Sequence, residues 1–204
     1  MFRTNRILAL NVGAGKLVLA EFAVRGGRVP VLLNYGIGDL GINPESEAAS
    51  SAFLVAALRD LMGNTGIRPA PLLMAISGQT VFPRFIKLPP VARDKLLQMI
   101  RYEAEQNIPF PIADLVWDYQ LIGDAAEGEQ NAMIVAAKNE NVSEVVAAVM
   151  AAGLEPEIID VAPMALYNCV RYNYPGLDGC SMLVDIGARS TNLVFMEEGK
   201  FFSR

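Results

Sequence analysis

The chain carries the same order of apolar and polar residues near both of its ends. The sequence LALNVGA at positions 8–14 returns as MLVDIGA at positions 182–188. In each copy an apolar strand ends at an amide or an acid, a Gly-Ala pair opens a short polar turn, and a second apolar strand follows. A further Gly-containing turn then leads into a third strand. The repeat predicts two related β-hairpins.

Between the two copies, strand and helix patterns alternate. Strands are predicted at about 6–12, 16–24, 29–37 and 72–76, with a helix from the Asn-Pro-Glu sequence at 43–45 to near Gly63. This order begins a ribonuclease H-like α/β unit, whose sheet is mixed because a helix crosses over between parallel strands. Further strands at 132–137 and 157–161, and helices at 142–152 and 163–172, continue the pattern.

A smaller unit interrupts this order. The strand predicted at 81–88 contains Pro83, which cannot donate to a sheet ladder and therefore indicates an edge strand. A helix at about 91–107 and a strand at 115–122 follow, and the polar loop 123–130 is expected to return the chain to the main sheet. Together they predict a small inserted α/β subdomain.

The patterns divide the chain into three expected units. Residues 1–78 and 130–175 form a first ribonuclease H-like subdomain, residues 79–129 the inserted subdomain, and residues 176–204 the start of a second ribonuclease H-like domain. Because a β-hairpin cannot bury itself alone, the second domain is expected to be incomplete and the sequence to be a fragment.

Composition removes several classes of function. With 204 residues, 52% of them hydrophobic, the chain can bury a core. Its net charge of -5 and the lack of a Lys/Arg stripe argue against a nucleic-acid partner. With no His and only Cys169 and Cys180, a zinc site or a His-based triad is excluded. Free thiols fit a reducing cytoplasm, and no apolar run approaches the roughly 20 residues of a membrane span, so we expect a soluble protein without direct membrane insertion.

The two hairpin tips are the candidate chemistry. Turns of Gly, small and hydroxyl residues expose backbone N–H groups that can surround a phosphate, and two tips that face each other could clamp one polyphosphate. The candidates in the first loop are Asn11, Gly13, Ala14, Gly15 and Lys16, and those in the second are Asp185, Gly187, Ala188, Arg189, Ser190 and Thr191. Gly187, Ser190 and Thr191 are expected to donate to phosphate oxygens. The alternative is that both are ordinary polar turns.

Four further stretches resemble one protein family. They read RFIKLP at 84–89, EAEQNIPFP at 103–111, AKNENV at 137–142 and AGLEPEIIDV at 152–161. With the two hairpins, they resemble the PilM family of type IV pilus assembly proteins, within the actin-like ATPase superfamily, from Ile7 to the last residue. The resemblance implies an actin-like ATPase fold, built of ribonuclease H-like units with mixed sheets and a small inserted subdomain.

The resemblance also implies a role. PilM-like proteins are cytoplasmic, ATP-binding adaptors at the inner face of the inner membrane. They bind the N-terminal cytoplasmic tail of the membrane protein PilN and help to couple the pilus motor to other assembly components. The alternatives are the related cytoplasmic domain of a type II secretion system, a sugar-kinase-like enzyme of the same superfamily, or a filament-forming homo-oligomer. A kinase needs an acid near the phosphate and a polar sugar pocket, and no such cluster is evident.

For the hairpins, the resemblance implies ATP with Mg²⁺, which Asp185 would hold through water. Asn11 lies where superfamily members carry an acid, so its amide keeps the hydrogen bonding but loses the charge. Val18 lies where the family has Lys, and Lys16, on the same side of the strand, can replace it. Arg189 either neutralises phosphate charge or is a solvated turn residue. These departures favour nucleotide binding with at most weak ATPase activity.

Two more sets of residues have alternative interpretations. Asp160 ends a strand about where the superfamily positions the attacking water, or it is an acidic N-cap of the next helix. Four apolar residues, Phe85, Leu88, Ile108 and Phe110, either line a groove for the partner's tail between the inserted subdomain and the main sheet, or form the subdomain's core.

Overall fold

A computed structural model describes residues 6–25, 29–40, 51–89, 92–122 and 130–201. The elements, in chain order, are β1 (Arg6–Val12), β2 (Lys16–Ala23), β3 (Val31–Asp39), α1 (Ser51–Thr65), β4 (Leu72–Ile76), β5 (Val81–Leu88), α2 (Arg93–Asn107), β6 (Leu115–Ile122), β7 (Gln130–Lys138), α3 (Asn139–Ala151), β8 (Pro156–Val161), α4 (Ala162–Asn173), β9 (Cys180–Ile186), β10 (Thr191–Glu197) and β11 (Lys200–Phe201). The predicted order of strands and helices is confirmed, although the predicted start of α1 at 43–45 lies outside the described residues.

The main sheet has the strand order β3-β2-β1-β4-β8. β1 pairs antiparallel with β2 and parallel with β4, which in turn pairs parallel with β8. Alternate residues of these strands, such as Leu8, Leu10 and Met74, are buried with apolar residues of α1 and α3 in one core. Each fully buried side chain of this size stabilises the fold by about 1.5–3 kcal/mol. This is the mixed sheet of the predicted ribonuclease H-like unit.

A second sheet, in the order β5-β7-β6, forms the inserted subdomain. Both pairings are antiparallel, and β5, with Pro83, lies at an edge as predicted. One face of this sheet packs against α2 through buried residues that include Ile100 and Ala104.

The placement of β7 corrects a prediction. The strand at 132–137 was expected in the main sheet, but it is the central strand of the small sheet. Its buried residues explain why the pattern was ambiguous. Ala132, Ile134 and Ala136 belong to the core under α2, whereas Met133 and Val135 face β8 and α4 across a cavity. A strand covered on both faces has the same continuous apolar pattern in either sheet.

The second hairpin forms a sheet in the order β11-β10-β9. A two-residue turn joins β10 to β11, with Glu198 at φ 51° and Gly199 at φ 69°, a mirror-image turn that matches the right-handed twist of the strands. The sheet packs on α4, where Tyr167 is buried with Val194 and Met196. Within the described residues, no helix is both long enough and apolar enough to cross a bilayer.

Candidate functional site

The two hairpin loops share one hydrogen bond at equivalent positions. The Gly13 N–H donates to the Lys16 carbonyl at 3.1 Å, and the Gly187 N–H donates to the Ser190 carbonyl at 2.9 Å. The same three-residue separation closes each turn, so the sequence repeat is also a repeat of local geometry. One expectation is corrected here: the Gly187 N–H closes its own turn and is not available to a phosphate oxygen.

The two loops touch each other. A Cβ atom added to Gly15 would lie 2.7 Å from Cβ of Ala188. Among the described residues, no hydrogen bond engages the backbone N–H of Ala14, Gly15 or Ala188. The predicted meeting of the two tips is therefore present, and it leaves donors at the contact that could serve an anion.

Residues that the sequence analysis did not single out hold the second hairpin in place. The Asn192 side-chain amide donates to Asp185 at 3.0 Å, across a directly opposed pair of strand residues. A Cβ atom on Gly78 would lie 2.7 Å from Oδ1 of Asn192 and 2.9 Å from Cγ of Pro163. The Gln79 side chain donates to the Arg189 carbonyl at 3.4 Å. The turn after β4 thus forms a third wall of the site. In the sequence, only Gly78, at the end of the strand, indicated this turn.

Two candidate site residues, Asn11 and Asp160, lie at the C-terminal ends of parallel strands in the main sheet. Asn11 pairs with Ala75, and Ala75 pairs with Asp160, so the three residues share one row across β1, β4 and β8. Two strand spacings separate Asn11 from Asp160 by about 10 Å. Ligands of open α/β sheets bind beyond the C-terminal ends of the strands. Asp160 and the first hairpin loop therefore both lie at the end of the main sheet where a ligand is expected.

Asp160 does not cap the following helix. Val161 is the N-cap of α4, which has no side-chain cap, and the Asp160 carboxylate instead accepts from the Val161 N–H at 2.7 Å. Burial raises the pKa of the Asp160 carboxyl above its ordinary value, and the Val161 N–H partly opposes this. The N-cap interpretation is wrong because the helix starts one residue too late for it. The catalytic role stays a prediction.

Lys16 lies at the exposed start of β2, directly opposite Asp39 on β3. Side chains at such positions are about 5 Å apart at Cβ, so Lys16 and Asp39 are neighbours on one face of the sheet.

The residues fit a nucleotide with Mg²⁺ in part. The contact between the glycine-containing loops offers backbone donors, and Asn192 fixes the orientation of the Asp185 carboxylate. Where the structure describes the chain, no three His, Cys, Asp or Glu side chains converge on a metal site. Mg²⁺ would therefore be held by phosphate oxygens and water, with Asp185 binding through that water, in the way that Mg²⁺ usually binds beside phosphates.

The four residues of the predicted tail groove do not lie together. Leu88 and Ile108 are 1% and 4% exposed and belong to the core under α2, with Phe110 partly buried against it. Phe85 points to the opposite face of β5, where its ring stacks on Phe201 at 5.4 Å. For three of the four residues, the core interpretation describes the structure.

A cleft does open between the inserted subdomain and the main sheet. It has a volume of about 440 Å³. One wall is the face of β6 and β7 opposite α2, and the other is β8 with the first turns of α4. The lining of the two walls includes Val116, Asp118, Gln120, Ile159, Asp160 and Met164. Among the described residues, β8 is the last strand of the main sheet, and the outer edge of such a strand can pair with an added strand.

The order of the main sheet, the inserted subdomain and the paired hairpins define the class of protein. This is an actin-like ATPase fold, with a ribonuclease H-like unit followed by the β11-β10-β9 sheet of the repeated hairpin.

Comparison with known proteins gives the family. The model of the type IV pilus assembly protein PilM matches residues 40–204. The chain therefore belongs to the PilM family of type IV pilus assembly proteins. The solved PilM-PilN type IV pilus biogenesis complex matches with a TM-score of 0.83 and 31% identity, over 98% of this chain and 60% of the matched chain. The chain thus spans about 60% of that relative's length.

Two more distant structures share the fold alone. The cytoplasmic domain of EpsL, an inner membrane component of the type II secretion system of Vibrio cholerae, matches with a TM-score of 0.59 and 13% identity, over 94% of this chain and 67% of that one. An exopolyphosphatase from Cytophaga hutchinsonii matches with a TM-score of 0.51 and 13% identity, over 97% and 48%.

Proposed function

We propose that the protein is a cytoplasmic, ATP-binding adaptor of a type IV pilus machine, peripheral to the inner face of the inner membrane. In this role it binds the N-terminal cytoplasmic tail of a PilN-like membrane protein and other pilus assembly components. Family membership supports the pilus assignment, and the relative solved with PilN supports the kind of partner.

The observation that carries the nucleotide part is the contact between the hairpin tips. Gly15 and Ala188 come from the two ends of the chain and meet at atomic contact. Donors without a partner lie on both sides of that contact, so one triphosphate can be held by two units at once. A ligand that binds the folded protein but not the unfolded chain stabilises the folded state by RT ln(1 + [L]/Kd). ATP would then act as a structural ligand.

Hydrolysis is expected to be weak. Asn11 provides an amide where a carboxylate would help to hold Mg²⁺. Asp160 is the remaining candidate for positioning water, but burial favours its neutral form. These two features lower the electrostatic stabilisation that phosphoryl transfer requires, while they leave backbone contacts to phosphate intact.

The cleft beside β8 is the candidate site for the tail. Ile159 of this edge strand lines the cleft and is 41% exposed, although aliphatic residues of a sheet are normally covered. An extended peptide that pairs with the β8 edge would cover it, and would place alternate side chains against β6 and β7. Main-chain hydrogen bonds would give affinity, and the cleft side chains would give specificity.

The test is a pair of titrations of the intact protein by calorimetry. One uses Mg²⁺ with ATP, and the other uses a synthetic peptide of the N-terminal tail of the PilN-like protein encoded with it. We expect saturable binding of both, with a turnover of ATP far below that of a motor ATPase. Failure of either ligand to bind removes the corresponding half of the proposal.

A further inference from the structure

The cleft beside β8 has an unusual charge distribution among apolar walls. Of its lining residues, the acidic ones are Asp118 and Asp160, and no Lys or Arg lines it within the described residues. Asp118 lies on β6, on the face opposite α2, and Asp160 lies at the end of β8. The two carboxylates therefore come from opposite walls of the same cavity.

The positions of the two acids on their strands direct them into the cleft. Along β6, Leu115, Trp117, Tyr119 and Leu121 contribute to the core under α2. Because side chains alternate along a strand, Val116, Asp118 and Gln120 face the other way. Trp117 and Tyr119 also border the cleft, but Asp118 lies on the face of β6 that is turned away from the core under α2.

Each of the two carboxylates accepts one hydrogen bond from a backbone N–H and can accept more. Asp118 accepts from the Tyr119 N–H at 2.8 Å, and Asp160 accepts from the Val161 N–H at 2.7 Å. A carboxylate has about four acceptor sites, so each can accept further bonds from an occupant. Burial already raises the pKa of Asp160, and an opposite charge in the cleft would lower it again.

The basic side chains of this region lie elsewhere. Arg171 and Lys200 line a smaller neighbouring cavity of about 140 Å³, which adjoins the cleft at Gln120 and Met164. The Arg171 guanidinium lies 5.3 Å from the centre of the Tyr167 ring. A cation in the cleft would be repelled from this end and attracted to the end that holds the two acids.

We infer that the cleft binds an extended apolar segment that carries one positive charge, and that Asp118 and Asp160 receive this charge from the two walls. The inference rests on the tail-binding function proposed above and names the chemistry of the tail. Aliphatic side chains of the segment pack on Val116, Ile159 and Met164. Its Lys, Arg or N-terminal ammonium group lies between the two carboxylates.

The experiment measures fluorescence anisotropy with a labelled peptide of the PilN-like tail, without nucleotide. In one series each Lys or Arg of the peptide is replaced by citrulline or norleucine, and the N-terminus is acetylated. In the other series the protein carries D118N, D160N or both. Because Asp160 is partly buried while Asp118 is exposed to solvent, we expect D160N to weaken binding about tenfold and D118N about threefold.

A matched control is Asp114→Asn, which changes the net charge by the same amount at an exposed residue outside the cleft. It is expected to leave the affinity unchanged. The peptide that lacks the charge bound by the two acids is expected to bind the wild type and the D118N/D160N variant with equal affinity. Removing the cation and removing the two carboxylates abolish the same interaction. Circular dichroism of each variant checks that it folds.

The possible failures are distinguishable. If the unaltered peptide does not bind the wild-type protein, the adaptor function itself is overturned. If the unaltered peptide binds, but neither the neutral peptides nor the D118N and D160N substitutions change the affinity, only the inference about the charge is overturned. A loss of affinity in D114N as large as that in D118N would also overturn it, because net charge alone would then explain the effect.

Discussion

The contact between Gly15 and Ala188 can be tested by a single methyl group. In Gly15→Ala the added Cβ would lie 2.7 Å from Cβ of Ala188, whereas carbon atoms pack at about 3.5–4.0 Å. The two loops must separate by about 1 Å to admit it. Overpacking of this kind costs about 1–3 kcal/mol.

The expected consequence is a loss of nucleotide affinity. If the strain opposes closure of the two loops around a triphosphate, 1–3 kcal/mol corresponds to about 5- to 150-fold weaker binding. Titration with a fluorescent ATP analogue in the presence of Mg²⁺ measures this directly. Thermal denaturation without nucleotide measures how much of the strain is present in the free protein.

A second substitution on the opposite loop makes the test specific. Among the described residues, Ala188 Cβ is the only atom within 4 Å of the added methyl. Ala188→Gly removes that atom, so the G15A/A188G double variant is expected to recover most of the affinity. The control is Gly63→Ala in α1, where nothing described lies within 4 Å of the new Cβ. It is expected to stabilise the helix by about 0.5–1 kcal/mol and to leave binding unchanged.

The reasoning is refuted if G15A binds nucleotide as the wild type does. It is equally refuted if A188G fails to restore the affinity that G15A loses, because the clash would then not be its cause.

Three further predictions concern stability. Leu88→Ala removes a side chain that is 1% exposed and is expected to lower the free energy of unfolding by about 2–5 kcal/mol in urea titrations; a loss no larger than that of Phe85→Ala, on the opposite face, would return Leu88 to the list of groove residues. Asp160→Asn removes a group whose pKa is raised above 3.8 in the folded state, so the wild type loses stability as the pH rises from 3.8 through that folded pKa. Asp160→Asn is therefore expected to be more stable than the wild type near pH 7, by a margin that shrinks toward pH 4, and a margin that grows on acidification contradicts the assignment. Tyr167→Phe deletes the hydroxyl that accepts from the Phe201 N–H at 3.2 Å and is expected to cost about 0.5–1.5 kcal/mol; an unchanged melting curve would mean that this bond is not formed in solution.

The elements and the repeat were predictable because they depend on local patterns. The copies at 8–14 and 182–188 gave both hairpins, and Pro83 gave the edge position of β5. The sheet that β7 joins was not predictable. A strand buried on both faces carries no information about its neighbours, since Ala132 and Met133 are equally apolar.

The site was predictable only in the residues that the repeat itself contains. Gly13 and Gly187 have equivalent roles because their turns have equivalent sequences. Asn192, Gly78 and Gln79 reach the second loop through tertiary contacts that no spacing in the sequence shows. The prediction of the tail-groove residues was wrong for a related reason. Apolar residues such as Leu88 and Ile108 have the same sequence pattern in a core as in a groove.

The most direct test of a shared site for the triphosphate is a crystal structure of the intact protein with Mg²⁺ and a non-hydrolysable ATP analogue. We predict that the phosphates lie between the two hairpin tips, with backbone N–H groups of Ala14 or Gly15 on one side and of Ala188 on the other within hydrogen-bond distance. A nucleotide that contacts one hairpin alone, or that binds away from both, would contradict the account.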